Sequence, residues 1–236
     1  MKKHTGFSRI AFLVMIMFIL IGTTGCAFKQ SPYKKIEKYL KAKYDNDRFT
    51  EVNPYYGKLF NNGPVYSLTC KSKLHPEFPI YGAYVETTDT FYDNYMSVVY
   101  AEQFDEYVEE NILDELFGRG NYDYLKFNDD DRMNRSEHYY KDMTFQEFVT
   151  VAPVGSLEVM VDASCLADKD AFLESLTDRM EKSGIDYNWV RIYFLDPFEK
   201  AELDSEKIDL IMVSREDVVC YLEGEKTGDE FTYTWE

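Results

Sequence analysis

Positive charge is scarce in this chain of 236 residues: 26 Lys plus Arg stand against 43 Asp plus Glu, a formal charge of −17. Affinity for a phosphate backbone comes from clustered Lys and Arg, so the balance argues against nucleic acid as a partner. Histidine is nearly missing, with three residues in all. His75 and His138 lie outside the N-terminal segment, no partner stands at zinc-ligand spacing, and both read as loop residues. Cysteine is sparse too. Apart from Cys26 there are Cys70, Cys165 and Cys220, an odd number that allows at most one intramolecular disulfide and leaves a thiol over. Cys70 and Cys220 fall on strand-like segments and read as small buried hydrophobes.

The motifs of the common catalytic sites are absent as well. There is no G-x-S-x-G, S-x-x-K, Walker loop or H-E-x-x-H. Gly118-Arg119-Gly120 has no third glycine and follows a helix where a dinucleotide site needs a strand. Asn128-Asp129-Asp130-Asp131 is the densest acidic run, but it breaks the EF-hand pattern and reads as a solvated loop. With 43 acidic residues, carboxylate pairs arise by chance and say nothing about glycosidase-like chemistry. No catalytic residue, metal or cofactor is assigned from sequence. Core-forming residues, by contrast, are plentiful. Apolar residues make up 45% and aromatics 17%, which rules out a disordered acidic tail. Of the 20 tyrosines, Tyr55, Tyr56, Tyr81, Tyr84, Tyr139 and Tyr140 read either as the lining of a sugar or peptide groove or as core and sheet surface.

The N-terminus carries the most specific signal. Lys2, Lys3 and Arg9 precede an unbroken apolar run, Ile10 to Ile21, closed by Gly22-Thr23-Thr24-Gly25-Cys26. Length and flanks fit the apolar region of an export signal. The segment resembles the bacterial lipoprotein signal, in which Gly-Cys follows such a run. Thr23 stands where that family usually has Leu, Val or Ile. The resemblance implies that Cys26 receives a diacylglyceryl group and becomes the new N-terminus, lipid-anchored on the extracytoplasmic face of the cell membrane. Two acyl chains give stable anchoring where one does not. Two other readings stay open. Gly25-Cys26-Ala27 fits an ordinary cleavage site of a secreted protein, and the uncharged stretch from Ile10 to Phe28 is about 28 Å long as a helix, enough for an uncleaved anchor.

Beyond residue 26 the pattern predicts an α+β fold, with mixed, mainly antiparallel sheets and packed helices, over residues 27–236 and a candidate subdomain boundary near 128–143. Ser31-Pro32 opens a helix with Tyr33, Ile36, Leu40 and Tyr44 in register. Strands are expected at 49–53, 65–72 and 79–87. A long amphipathic helix is expected from Phe91 to Phe117, stopped by Gly118. Then come a strand at 122–127, a short helix with a capping box at Thr144–Glu147, a strand at 156–162, a helix capped by Asp168 and stopped by Gly184, and a strand at 188–195. A helix start at Asp196-Pro197 and a meander of 208–213, 218–222 and 231–235 complete the chain. The Lys43-Tyr44…Phe49 and Asp93-Asn94-Tyr95 segments resemble uncharacterised lipoproteins of Gram-positive bacteria, a likeness that implies no activity.

Charge divides unevenly along this body. Residues 27–44 hold Lys29, Lys34, Lys35, Lys38, Lys41 and Lys43 against Glu37, a net of +5, whereas residues 45–236 hold 17 basic against 42 acidic residues, a net of −25. Five residues, Ala27 to Ser31, reach at most about 17 Å, so the basic segment lies next to the lipid if the anchor forms. These lysines are the expected contacts with anionic headgroups. The acidic remainder favours a cationic peptide or protein partner. The expectation is a non-catalytic binding or accessory module. The rivals are a carboxylate-based cell-envelope hydrolase and a solute-binding lipoprotein of a transporter.

Overall fold

The computed structural model describes residues 31–58, 64–127, 135–152, 154–199, 217–228 and 230–236. Among the described residues the fold is α+β, with four helices and two sheets. Helix α1, Pro32–Lys43, leads into an antiparallel meander of β1 (Phe49–Lys58), β2 (Pro64–Ser72), β3 (Pro79–Val85) and β4 (Thr90–Asp93). A long helix, α2, starts at Tyr95 and runs to Phe117. The second sheet has the order β5 (Tyr122–Tyr124), β6 (Val154–Asp162), β7 (Tyr187–Leu195), β8 (Val218–Thr227), β9 (Glu230–Trp235). Among the described strands only β6 and β7 pair in parallel, and a parallel pair needs a crossover. Helix α4, Lys169–Ser183, supplies it, while the shorter α3, Phe145–Val151, precedes β6.

Helix α1 sits on the first sheet through Ile36 and Leu40, both buried. Close approach is possible because Gly82 on β3 has no side chain: a Cβ there would stand 2.6 Å from Ile36 Cγ2 and 3.3 Å from Leu40 Cδ1. Strand β4 is an addition to the expected pattern. Phe91 and Tyr92 suit a helical stripe, but they close a hairpin instead, with Ala83 opposite Tyr92 and Tyr84 opposite Phe91. The helix therefore begins four residues later, after Asn94, whose side-chain oxygen accepts the Tyr81 N–H at 2.7 Å.

Within α2 the apolar side chains recur every fourth residue, which outruns a 3.6-residue turn by about 40° per step. The helix absorbs the excess in a π-helical segment, Glu109–Leu113, where the Asp114 N–H reaches back to the Glu109 carbonyl. Ile112, Leu113 and Phe117 thereby stay buried. Gly118, with φ 75°, ends the helix.

The two later helix starts follow their sequence signals. Thr144 and Glu147 form a reciprocal capping box, and Asp168 accepts the Ala171 N–H, while Gly184 in the left-handed region closes α4. Residues 196–199 are not helical, contrary to the cap-like Asp196-Pro197. The expected strand at 208–213 lies outside the described residues. One contiguous cluster of buried side chains extends from Ile36 on α1 through Phe104 and Ile112 on α2 to Ile192 and Leu222 in the second sheet. At its centre, Phe104 packs on Phe127 at 4.5 Å and on Phe148 of α3 at 6.0 Å between ring centroids. Among the described residues no helix is long and apolar enough to cross a membrane.

Candidate functional site

The α1 lysines divide into two sets. Lys34, Lys38 and Lys41 are exposed, and their spacing puts them along one side of the helix. Lys41 lies 3.6 Å from Glu37. Lys35 turns to the sheet, donating to the Tyr84 hydroxyl at 2.8 Å with its ammonium 4.4 Å from that ring's centroid. Lys43 turns into the body. Cys26 and Lys29 lie outside the described residues.

Lys43 belongs to a buried network around Asp93, the last residue of β4. The Asp93 side chain is 0% exposed and that of Lys43 is 14% exposed, with 2.7 Å between ammonium and carboxylate. Tyr39 donates to one carboxylate oxygen and Tyr44 to the other, each at 2.8 Å, and the Tyr95 N–H adds a bond at 3.0 Å. Burial first, then the adjacent carboxylate, hold both phenols well above their ordinary titration range, so they remain donors. The Tyr44 and Tyr95 rings stack at 4.0 Å, and Phe49 meets Tyr95 edge-on at 6.0 Å. The Lys43-Tyr44…Phe49 and Asp93-Asn94-Tyr95 segments are thus brought together here. Every oxygen of the carboxylate is engaged, and the network ties the C-terminal end of α1 to the β4–α2 junction.

A second buried carboxylate, Asp47, lies on the far side of Tyr95. It accepts the Ser72 hydroxyl and the N–H groups of Arg48 at 2.6 Å, Lys73 at 3.1 Å and Leu74 at 3.3 Å. Burial is the largest influence and opposes its charge, but the donors of Ser72, Arg48, Tyr95 and Leu74 outweigh it and hold the carboxyl below its usual value. Sequence reasoning missed both carboxylates, because nothing in their spacing separates them from 41 other acids.

The remaining candidates are dispersed. His75 stands 3.8 Å from Glu77 and edge-on to Tyr95, and His138 is exposed. Among the described residues no three His, Cys, Asp or Glu side chains are grouped to hold a metal. Cys70, Cys165 and Cys220 are free thiols. Burial pushes Cys70 up to about 12, which removes it as a nucleophile at neutral pH. Tyr84 and Tyr139 are core residues, whereas Tyr55 and Tyr140 are exposed. Arg135 touches the Tyr55 hydroxyl and lies 5.6 Å from the Tyr81 ring centroid. These tyrosines do not converge on one groove, and the side chain of Tyr56, like Asp129, Asp130 and Asp131, lies outside the described residues.

A groove that no sequence motif marks lies between the C-terminal half of α4 and the β8–β9 hairpin. Its volume is about 580 Å³. Leu173, Met180, Ile185 and Phe231 supply apolar surface, and Glu181 and Glu230 stand at its rim. Gly224 lets the Tyr233 ring lie against the strand backbone, since a Cβ there would meet the ring at 2.7 Å. The Tyr233 hydroxyl is buried. Burial raises the Tyr233 phenol above its ordinary range, and hydrogen bonding with the neighbouring Thr177, which itself donates to the Leu173 carbonyl at 2.9 Å, partly offsets that rise. Lys226 and Asp186 pair with each other at one end.

No protein-family model matches the chain, and no curated protein matches it either. A similar solved structure is the crystal structure of a DUF5037 family protein from Ruminococcus gnavus ATCC 29149, 20% identical, covering 84% of this chain and 93% of that one, with a TM-score of 0.37. A likeness of that degree leaves function open.

Proposed function

We propose that the chain is a lipoprotein, tethered through Cys26 to the extracytoplasmic face of the cell membrane, whose folded body is a non-catalytic binding or accessory module for a cationic peptide or protein. The observation that carries the reading is the apolar run Ile10 to Ile21 closed by Gly25-Cys26. Support comes from the helix that follows. Only five residues separate Cys26 from Pro32, the first residue of α1, and Lys34, Lys38 and Lys41 face solvent there. Each lysine near an anionic surface contributes on the order of 1 kcal/mol, decaying over a Debye length. The membrane-facing set is these three, with Lys29 between them and the anchor. Lys35 and Lys43 are held by Tyr84 and Asp93 instead.

Metabolic labelling with palmitate tests the anchor. The wild-type protein takes up label and fractionates with membranes, and Cys26→Ala abolishes both. Label that persists in Cys26→Ala, or its absence from the wild type, overturns the reading. Vesicle co-sedimentation of the unlipidated chain from Ala27 tests the lysine face. Lys34→Gln/Lys38→Gln/Lys41→Gln loses binding to anionic vesicles at low salt, and unchanged binding removes that part of the proposal.

A further inference from the structure

We propose that the open edge of β9 takes up an extended basic peptide as a further antiparallel strand of the second sheet, with alternate apolar side chains of that peptide set in the groove beside α4. The inference rests on the cationic-partner part of the reading above and is independent of the anchor.

The edges of the two sheets are β1, β4, β5 and β9. The first three are ill suited to another strand. β1 carries Pro54 and a register break between Thr50 and Asn53, β4 is bridged to Ser136, and β5 is short, Tyr122–Tyr124. Proline, irregularity and short length are the devices that protect an edge from pairing. β9 has no proline and no register break, and among the described residues nothing pairs with its outer side.

The direction of its free groups follows from the ladder. Tyr221 and Glu236 exchange both main-chain bonds at 2.9 Å. Exchanging and non-exchanging pairs alternate in an antiparallel ladder, so Glu230, Thr232 and Thr234, like Glu236, bond to β8. Phe231, Tyr233 and Trp235 therefore turn their N–H and C=O groups outward. Their side chains share the α4 face. Trp235 meets Phe172 at 6.0 Å between ring centroids, and Phe231 and Tyr233 line the groove of about 580 Å³ with Leu173, Met180 and Ile185. Directly paired residues put their side chains on one face, so the residues of an added strand that bond to β9 aim theirs at that groove. Strand addition draws affinity from such main-chain bonds and selectivity from pockets for alternate side chains.

The other face sets the charge. Thr232 and Thr234 are exposed there between Glu230 and Glu236, and Glu225 stands opposite Thr232. A second copy of β9 paired about Tyr233 sets Glu230 against Glu236, and like charges directly opposite are destabilising. Lysine or arginine at those places is favoured instead. The occupant is therefore a peptide in which basic and apolar residues alternate.

The probe is an end-blocked heptapeptide alternating lysine and valine, with lysine at both ends, titrated into the isotope-labelled, unlipidated chain from Ala27. Backbone amide spectra and hydrogen exchange are the readout. The peptide is expected to shift amides of β9 and of the α4 side of the groove saturably, and to slow exchange at Phe231, Tyr233 and Trp235, whose N–H groups the added strand covers. N-methylation of its valines removes the bonds to β9 and is expected to weaken binding at least about tenfold. N-methylation of its lysines, whose N–H groups face away from β9, is expected to leave binding unchanged. The matching glutamate–valine peptide is expected not to bind. Glu230→Gln/Glu236→Gln, at two exposed positions, is expected to weaken the lysine peptide by roughly threefold while keeping the dispersed spectrum of the wild type. Shifts confined to another surface, unslowed exchange at the three amides, equal loss from the two N-methylated peptides, binding of the glutamate peptide, or unchanged affinity in the Gln variant overturns the proposal. Exchange at those amides that slows with protein concentration in the absence of peptide assigns the edge to a second copy and overturns it as well. Binding of the lysine peptide at another surface removes the edge and keeps the cationic-partner reading, and loss of palmitate label removes the anchor alone, so the readings fall separately.

Discussion

Replacing Asp93 by alanine is the sharpest perturbation that the fold offers. The carboxylate is fully buried and receives the Lys43 ammonium, the Tyr39 and Tyr44 hydroxyls and the Tyr95 N–H. Alanine removes the acceptor and leaves the donors. Tyr44, 1% exposed, is left with a hydroxyl that cannot reach water. Lys43 is left with an ammonium in contact with two phenol rings, 4.9 Å and 5.4 Å from their centroids. Each stranded polar group costs about 1–3 kcal/mol, and removing one partner of a buried ion pair costs about 3–5 kcal/mol in measured cases. The expected loss is therefore about 3–5 kcal/mol. Asp93→Asn keeps an acceptor and should lose less. Lys43→Met should also lose less, since the carboxylate keeps three donors. The assay is urea denaturation of the unlipidated chain from Ala27, read by tyrosine fluorescence and by far-ultraviolet circular dichroism. Hydrogen exchange locates the effect, with protection falling first in α1 and β4. A loss below about 1 kcal/mol for Asp93→Ala, or equal losses for Asp93→Ala and Lys43→Met, would refute the account of this carboxylate as the hub of the network.

Three further outcomes follow from the packing and the caps. Gly82→Ala forces Ile36 away from β3, because the new Cβ stands 2.6 Å from it; overpacking of this kind costs about 1–3 kcal/mol, and thermal unfolding should show it as a lowered Tm. Thr144→Ala removes the capping box of α3 and should cost about 1 kcal/mol, checked in the same assay. Asp47 is held below its usual carboxyl range in the folded chain. Its stabilising effect is therefore complete above the unfolded value of about 3.9 and is lost as pH falls through the lower folded value; Asp47→Asn should flatten the acid limb of a stability–pH curve, and an unaltered limb would contradict the assignment.

Much of the fold was legible because local chemistry and tertiary structure agree. Thr144, Asp168 and Gly184 mark helix ends in the sequence and mark them in the structure. The strand expected at 65–72 forms as β2, with Leu68 and Cys70 buried. Legibility failed where one pattern serves two elements. Phe91 and Tyr92 fit the stripe of α2, yet the ring contacts of Phe91 with Tyr39 and Tyr84 and the pairing of both residues to β3 make them a strand. The lysines of α1 look equivalent in sequence, and only the positions of Asp93 and Tyr84, about 50 residues away, separate those that face solvent from those that do not. The groove was not legible at all, because its two walls lie on α4 and a C-terminal hairpin, brought together by the pairing of β7 with β6 on one side and with β8 on the other.

The placement of the Asp93 network at the far end of α1 has a mechanical consequence. A load applied at residue 31 peels the helix from its N-terminus. The edge-on contact of Tyr33 with Tyr66 and the bond from Lys35 to Tyr84 part first, then Ile36 and Leu40 leave the Gly82 gap, and the Lys43, Tyr39 and Tyr44 bonds to Asp93 come last. The weakest attachments sit nearest the point of pull and the strongest sit deepest. Helix α1 is therefore built as a graded tear strip, expected to yield turn by turn from its N-terminus.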